Sequence, residues 1–342
     1  MASLHNGEVM PLEPRAYYNL LKYQFLQNLQ VKTESKTTSW QVEDLRKISV
    51  ETLLDRLITL GVEFDKGSFL ECAEDYASPE DLTFELFKKR DDIDQIYLII
   101  FEMWRRFLPE KVGLSIFCDE LDRLIYLYDK EDLENDENLQ DALASLLDIL
   151  DENLDLGADA KKLFQSVTRY LGHDIEVFLY NYIFDQIESG NDLYADELIE
   201  GFYAFIKIAS WFDFLRIKIA AKKDIVEANF ILRNLIKELK NKPDLDLQIE
   251  ILKFMVEAGD PELFVDLAKN TLPFIKSEED FLELIEIVSD YYRRLDLEHK
   301  EKPLKALLSQ LSANKEKETV KREFDLKKLD QVLKEFDCIL SG

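Results

Sequence analysis

The sequence predicts an all-α protein, an elongated array of roughly 14–16 antiparallel helices. Two observations carry this. The 8 prolines and 10 glycines fall almost wholly between amphipathic stretches of helix length. Within those stretches apolar residues recur at i, i+3, i+4 and i+7, the spacing of one helix face. Strand alternation is missing as well, since WQV at 40–42 is too short to count.

Taken in order, residues 1–10 read as a loose arm. A first helix over about 14–30 carries Tyr17, Leu20, Leu21, Phe25 and Leu29, and VKTESKTTS at 31–39 is a polar loop or hinge. Ser49 is the expected N-cap of a helix over 50–60 that Gly61 closes. Ser78, Pro79, Glu80 and Asp81 make a strong start signal: a capping hydroxyl, proline at the first helical position, and acids in the first turn. The next helix buries Ile93, Ile96, Tyr97, Ile100, Met103, Trp104 and Phe107, and Leu98 and Phe101 widen its stripe enough to meet two neighbours. The spacing recurs from Leu121 to Tyr128, Leu139 to Leu154, Ile175 to Ile183, Ile225 to Leu239 and Phe281 to Tyr292, the last opened by Ser277 with Asp280. Pro11, Pro14, Pro109, Pro243, Pro261, Pro273 and Pro303 all fall where a helix begins or has ended. Gly61, Gly113, Gly157, Gly172, Gly190 and Gly259 fall where a left-handed stop is expected. Gly201, inside ELIEGFYAF, implies close approach of another helix.

From about 191 onward the helices fall into pairs that begin near 192, 225, 261 and 298. This spacing resembles tetratricopeptide- or HEAT-type repeats, which implies a curved solenoid; the tetratricopeptide signature residues are absent, so the resemblance is to an architecture alone. The segments are 1–39 (arm, first helix and loop), 40–190 (a helical lobe), 191–312 (helical-hairpin repeats), 313–325 (charged linker) and 326–342 (amphipathic helix). A break into two lobes near 190 is left open. In the last segment Leu326, Leu329, Leu333 and Phe336 form one apolar face. That face either caps the array, as a terminal repeat must, or docks in a partner's groove.

A net charge of −27 repels phosphate backbones and anionic lipid, so neither nucleic acid nor a membrane surface is the expected partner; a protein with a basic surface is allowed. Cys72, Cys118 and Cys338 are too few and scattered for a disulfide framework. The most apolar long stretch, Phe202 to Ala221, contains Lys207, Asp213, Arg216 and Lys218, which excludes a membrane-spanning helix. No secretory signal is recognised at the start, and the expected location is cytoplasmic.

Chemistry is thinly supplied. His5, His173 and His299 are far apart, and no cofactor is expected. DENLDLG, from Asp151 to Gly157, resembles the first half of an EF-hand loop, with Asp151, Asn153 and Asp155 in register; Lys162 occupies the position of the bidentate glutamate. DDID, with Asp91, Asp92 and Asp94, resembles the aspartate-rich motif of class I terpenoid synthases, and NDLYADELIE from Asn191 resembles their second metal motif. That resemblance implies a magnesium-dependent, all-helical enzyme; DDID departs from DDxxD, and in the second motif alanine stands at the Ser/Thr position and Glu200 comes one residue late. Both departures place a ligand on the wrong helix face.

The stronger functional clue is aromatic. Tyr180, Tyr182, Tyr194, Tyr203, Trp211 and their neighbours crowd the segment 180–214 beside the basic residues Arg216, Lys218, Lys222 and Lys223. Core packing accounts for most of them, while the basic island is either salt-bridged to acidic helices or a docking edge. The function expected is a non-enzymatic protein-binding scaffold or adaptor, with Tyr194, Tyr203, Trp211, Arg216, Lys218 and Lys222 lining its groove. The alternatives are the metal-dependent enzyme and a regulator that its own C-terminal helix inhibits.

Overall fold

The computed structural model describes residues 11–31, 37–275 and 277–313. The expected linker 313–325 (but for Ala313) and C-terminal helix, with Leu326, Leu329, Leu333 and Phe336, lie outside the described residues. Among the described residues there are seventeen α-helices, two 3₁₀ helices and no strand. The excess over the expected count includes the four-residue helix Ser39–Val42, which takes in the Trp-Gln-Val stretch.

Local signals account for the helix starts. Ser49, Ser78 and Ser277 each cap a helix by accepting a backbone N–H, from Thr52, Asp81 and Asp280 at 3.2, 3.1 and 3.0 Å. Pro79 and Pro261 stand in the first turn, where no N–H is needed. Pro303 differs: it sits inside the last described helix. Among the glycines expected as left-handed stops, Gly61, Gly157 and Gly190 have φ of 74°, 92° and 83°. Gly172 serves space instead: a Cβ there would lie 2.8 Å from the backbone nitrogen of Leu20. Gly201 is not mid-helix, because its helix ends at Phe202.

The described residues divide into two compact units, one reaching Leu179 with Ala204–Lys207 added, the other holding Tyr180–Tyr203 and Ile208 to Ala313. The N-terminal unit contains α1 (Pro14–Val31), α2 (Ser39–Val42), α3 (Val50–Thr59), α4 (Lys66–Ala73), α5 (Pro79–Phe87), α6 (Ile93–Phe107), α7 (Leu114–Asp129), α8 (Glu137–Asp155), α9 (Ala160–Thr168) and the first turn of α10 (Ile175–Glu188). Its core is built around α6, buried without a break from Ile96 to Trp104 between α3 and α5. The two-neighbour reading of its wide stripe is what the packing gives. This unit is not a plain succession of hairpins, because α1 also packs on α7.

The C-terminal unit carries the rest of α10, α11 (Asp192–Phe202), α12 (Ala209–Lys223), α13 (Ile225–Asn241), α14 (Leu245–Ala258), α15 (Pro261–Thr271), α16 (Glu278–Arg294) and α17 (Glu298–Ala313). Alternate helices begin at Asp192, Ile225, Pro261 and Glu298, the starts expected from the period. Each helix packs on the next or the next but one: α12 on α13 and α14, α13 on α15, α14 on α15 and α16. Such a ladder buries each stripe chiefly against near neighbours, which is compatible with a helical-repeat array.

Candidate functional site

The residues expected to line a groove are largely spent within the C-terminal unit. Trp211 is 4% exposed; its ring N–H donates to the Asp244 carboxylate at 2.8 Å, and Tyr180 meets it edge-on at 5.0 Å. The Tyr203 hydroxyl donates to Asp213 at 2.9 Å, and burial followed by that carboxylate pushes its phenol up. Arg216 lies 4.2 Å over the Tyr203 ring and pairs with Glu200 at 2.7 Å. Tyr194 is half-buried and packs edge-on to Tyr182. Lys218 sits 4.4 Å over Phe184 and 3.5 Å from Glu188, and Lys222 donates to the Ile187 carbonyl and to Asp192. Thus Arg216, Lys218 and Lys222 of the basic island bind α12 to acids of α10 and α11.

The surface that sequence reasoning passed over is the next helix. Asp224 caps α13 by accepting the Val226 N–H at 2.8 Å, which fixes where the helix begins and so which side faces inward. Ala228, Leu232, Leu235, Ile236 and Leu239 are buried. On the opposite face stand Val226, 74% exposed, and Phe230, 68% exposed, followed by the exposed Arg233 and Lys237. Their spacing of i, i+4, i+7 and i+11 makes one stripe along the helix. Leaving a phenylalanine in water forgoes about 1.5–3 kcal/mol of burial. Lys240 at the end of the stripe pairs with Asp266 at 2.9 Å, whereas among the described residues Arg233 and Lys237 have no carboxylate partner. One signal was available: Phe230 falls outside the Ala228–Leu239 stripe, so a helix buried on that stripe must expose it.

A second constellation fills the N-terminal unit. Asp119, 3% exposed, accepts from Arg15 at 2.6 Å, Arg46 at 2.5 Å and Asn19 at 3.1 Å. Burial works to raise its pKa, but the two guanidinium groups outweigh it and hold the carboxyl at about 2. Asp122, fully buried, accepts from Asn19 at 3.0 Å, from the backbone N–H groups of Gly172 and His173 at 2.7 and 3.1 Å, and lies 2.9 Å from His173 Nδ1. These carboxylates are saturated with donors, the condition for tolerating buried charge. The arrangement ties α1, the 3₁₀ helix Leu45–Lys47 and the 172–173 turn to α7.

The metal-like motifs are not assembled. Among the described residues no three His, Cys, Asp or Glu side chains are placed to hold one ion. Asp92 is held by both arms of Arg90 at 2.8 Å, beside the exposed Asp91 and Asp94. Asp151, Asn153 and Asp155 belong to the helix α8, where steps of two residues turn 200° and point successive ligands apart. An open cleft of about 400 Å³ in the C-terminal unit is lined by Met255, Glu257, Pro261, Tyr291, Arg294 and Leu295, with Arg294 and Glu257 paired at 3.1 Å. No described helix is long and apolar enough to cross a membrane.

Comparison with protein-family models, curated proteins and solved structures gives no match.

Proposed function

We propose that the chain is a non-enzymatic protein-binding scaffold, and that the outward face of α13 is a docking surface. The observation that carries the reading is the exposed stripe of Val226, Phe230, Arg233 and Lys237. An aromatic anchor beside arginine is the composition of interface hot spots rather than of an ordinary solvated face. The paired cations Arg216, Lys218 and Lys222 brace α12 behind that surface, with Tyr194, Tyr203 and Trp211 as its packing. A reducing, cytoplasmic setting belongs to this reading, and the thiols of Cys72 and Cys118 are unbridged.

The test is affinity capture from native lysate with the tagged full-length chain beside Val226→Ser/Phe230→Ser. A stoichiometric protein partner that the double substitution releases is the result expected. Capture that survives the substitution places the binding elsewhere and overturns this assignment.

A further inference from the structure

The stripe on α13 is ordered along its length, and that order bears on what covers it. Val226 and Phe230 lie toward the N-terminal end, Arg233 and Lys237 toward the C-terminal end. At 1.5 Å per residue the stripe runs roughly 16 Å, three turns of a facing helix. Building on the docking surface proposed above, we infer that its occupant is an acidic amphipathic helix of a partner protein, lying antiparallel to α13. Carboxylates in the occupant's first turns pair with Arg233 and Lys237, and bulky apolar residues further along cover Val226 and Phe230.

The antiparallel sense follows from where a helix favours its acids. Acidic side chains are favoured in the first turn of a helix and basic ones in the last, because of the axial dipole. An antiparallel occupant sets its own first turns, where carboxylates are favoured, against Arg233 and Lys237, and a parallel one would set its last turns there. On one flank of the stripe Glu227 and Glu238 are exposed, and they repel an acidic helix that slides sideways.

The net charge of −27 does not forbid an acidic occupant. At physiological ionic strength charges are screened beyond about 8 Å, so pairs at contact outweigh the distant field. That field instead confines acidic partners to the places where cations stand unpaired. A phosphate-rich surface is less suitable, since binding it needs more cations than a single helix offers and the rest of the molecule opposes it.

The probe is a pair of labelled synthetic helices of about eighteen residues, long enough to span the stripe. They share one leucine face and differ only in carrying Glu or Lys beside it in the first two turns. Anisotropy is read on the full chain. The acidic peptide binds, loses at least about tenfold on Phe230→Ser, and loses about fivefold on Arg233→Glu/Lys237→Glu, which in turn binds the Lys peptide better. Equal affinity for both peptides, or no binding of the acidic one at millimolar concentration, overturns the inference. So does Phe230-dependent cosedimentation with anionic vesicles, or a Phe230-dependent dimer of the chain. Should Phe230 govern capture of a partner while charge reversal changes nothing, the docking surface stands and the acidic occupant fails.

Discussion

Arg15 and Asp119 lie 2.6 Å apart across 104 residues of sequence. The contact joins the first turn of α1 to α7, and Arg46 approaches the same carboxylate from a third element. A buried ion pair of this kind contributes little over an apolar pair, but losing one member strands the other. Asp119→Asn therefore costs about 3–5 kcal/mol in the N-terminal unit. Arg216→Ala, which breaks a half-exposed pair with Glu200, costs about 1 kcal/mol or less. Urea unfolding of the two variants beside the native chain measures the contrast.

The same carboxylate sets an acid limb. Its pKa is about 2 in the folded chain, against about 4 when unfolded, so the unfolded state binds the proton more readily. The stabilisation is fully present above pH 4 and disappears as the pH falls towards 2, amounting to about 2.5 kcal/mol. Glu43, Asp44 and Glu120, each held below the usual carboxylate range, add to the same slope. Thermal melts between pH 2 and 6 should show the limb, and Asp119→Asn should flatten it.

Gly172→Ala tests the close approach of the 172–173 turn to α1. The added Cβ meets backbone, the Leu20 nitrogen at 2.8 Å and the Ala16 carbonyl at 3.1 Å, and backbone yields poorly. A loss of about 1–3 kcal/mol is expected, with a matching fall in melting temperature. A neutral result would mean that α1 is free to shift.

Two phenylalanines of the C-terminal unit should behave oppositely. Phe212 is fully buried, and Phe212→Ala removes about 3–5 kcal/mol. Phe230→Ser, on the outward face of α13, changes stability by about 0.5 kcal/mol or less while abolishing partner capture. Loss of fold in Phe230→Ser would show the residue to be core.

Much of the architecture is legible in local signals, for physical reasons. A cap such as Ser78 or Ser277 acts on N–H groups within its own first turn, so the sequence carries the whole interaction. The starts at Asp192, Ile225, Pro261 and Glu298 show likewise in the spacing of the helix pairs, and caps such as Asp224 and Asp260 sharpen them. Site residues are different. The density of aromatics around Trp211 is the same whether they face solvent or each other, and only the neighbouring helices decide; here Asp244 and Tyr180 enclose the ring. Asp122 shares the apolar stripe of Cys118, Leu121 and Ile125, which marks a buried carboxylate, yet nothing local names Gly172 and His173 as its donors. Phe230 was readable by elimination once the buried stripe of α13 was assigned.

A photoreactive phenylalanine analogue in place of Phe230 reports whether the outward face of α13 receives another protein. The full-length chain is irradiated in native lysate beside a control with the same analogue at Asp148, an exposed position on α8. The expected result is one discrete protein adduct from position 230 that position 148 does not form. Identical adduct patterns from both positions, or none from 230, would contradict it.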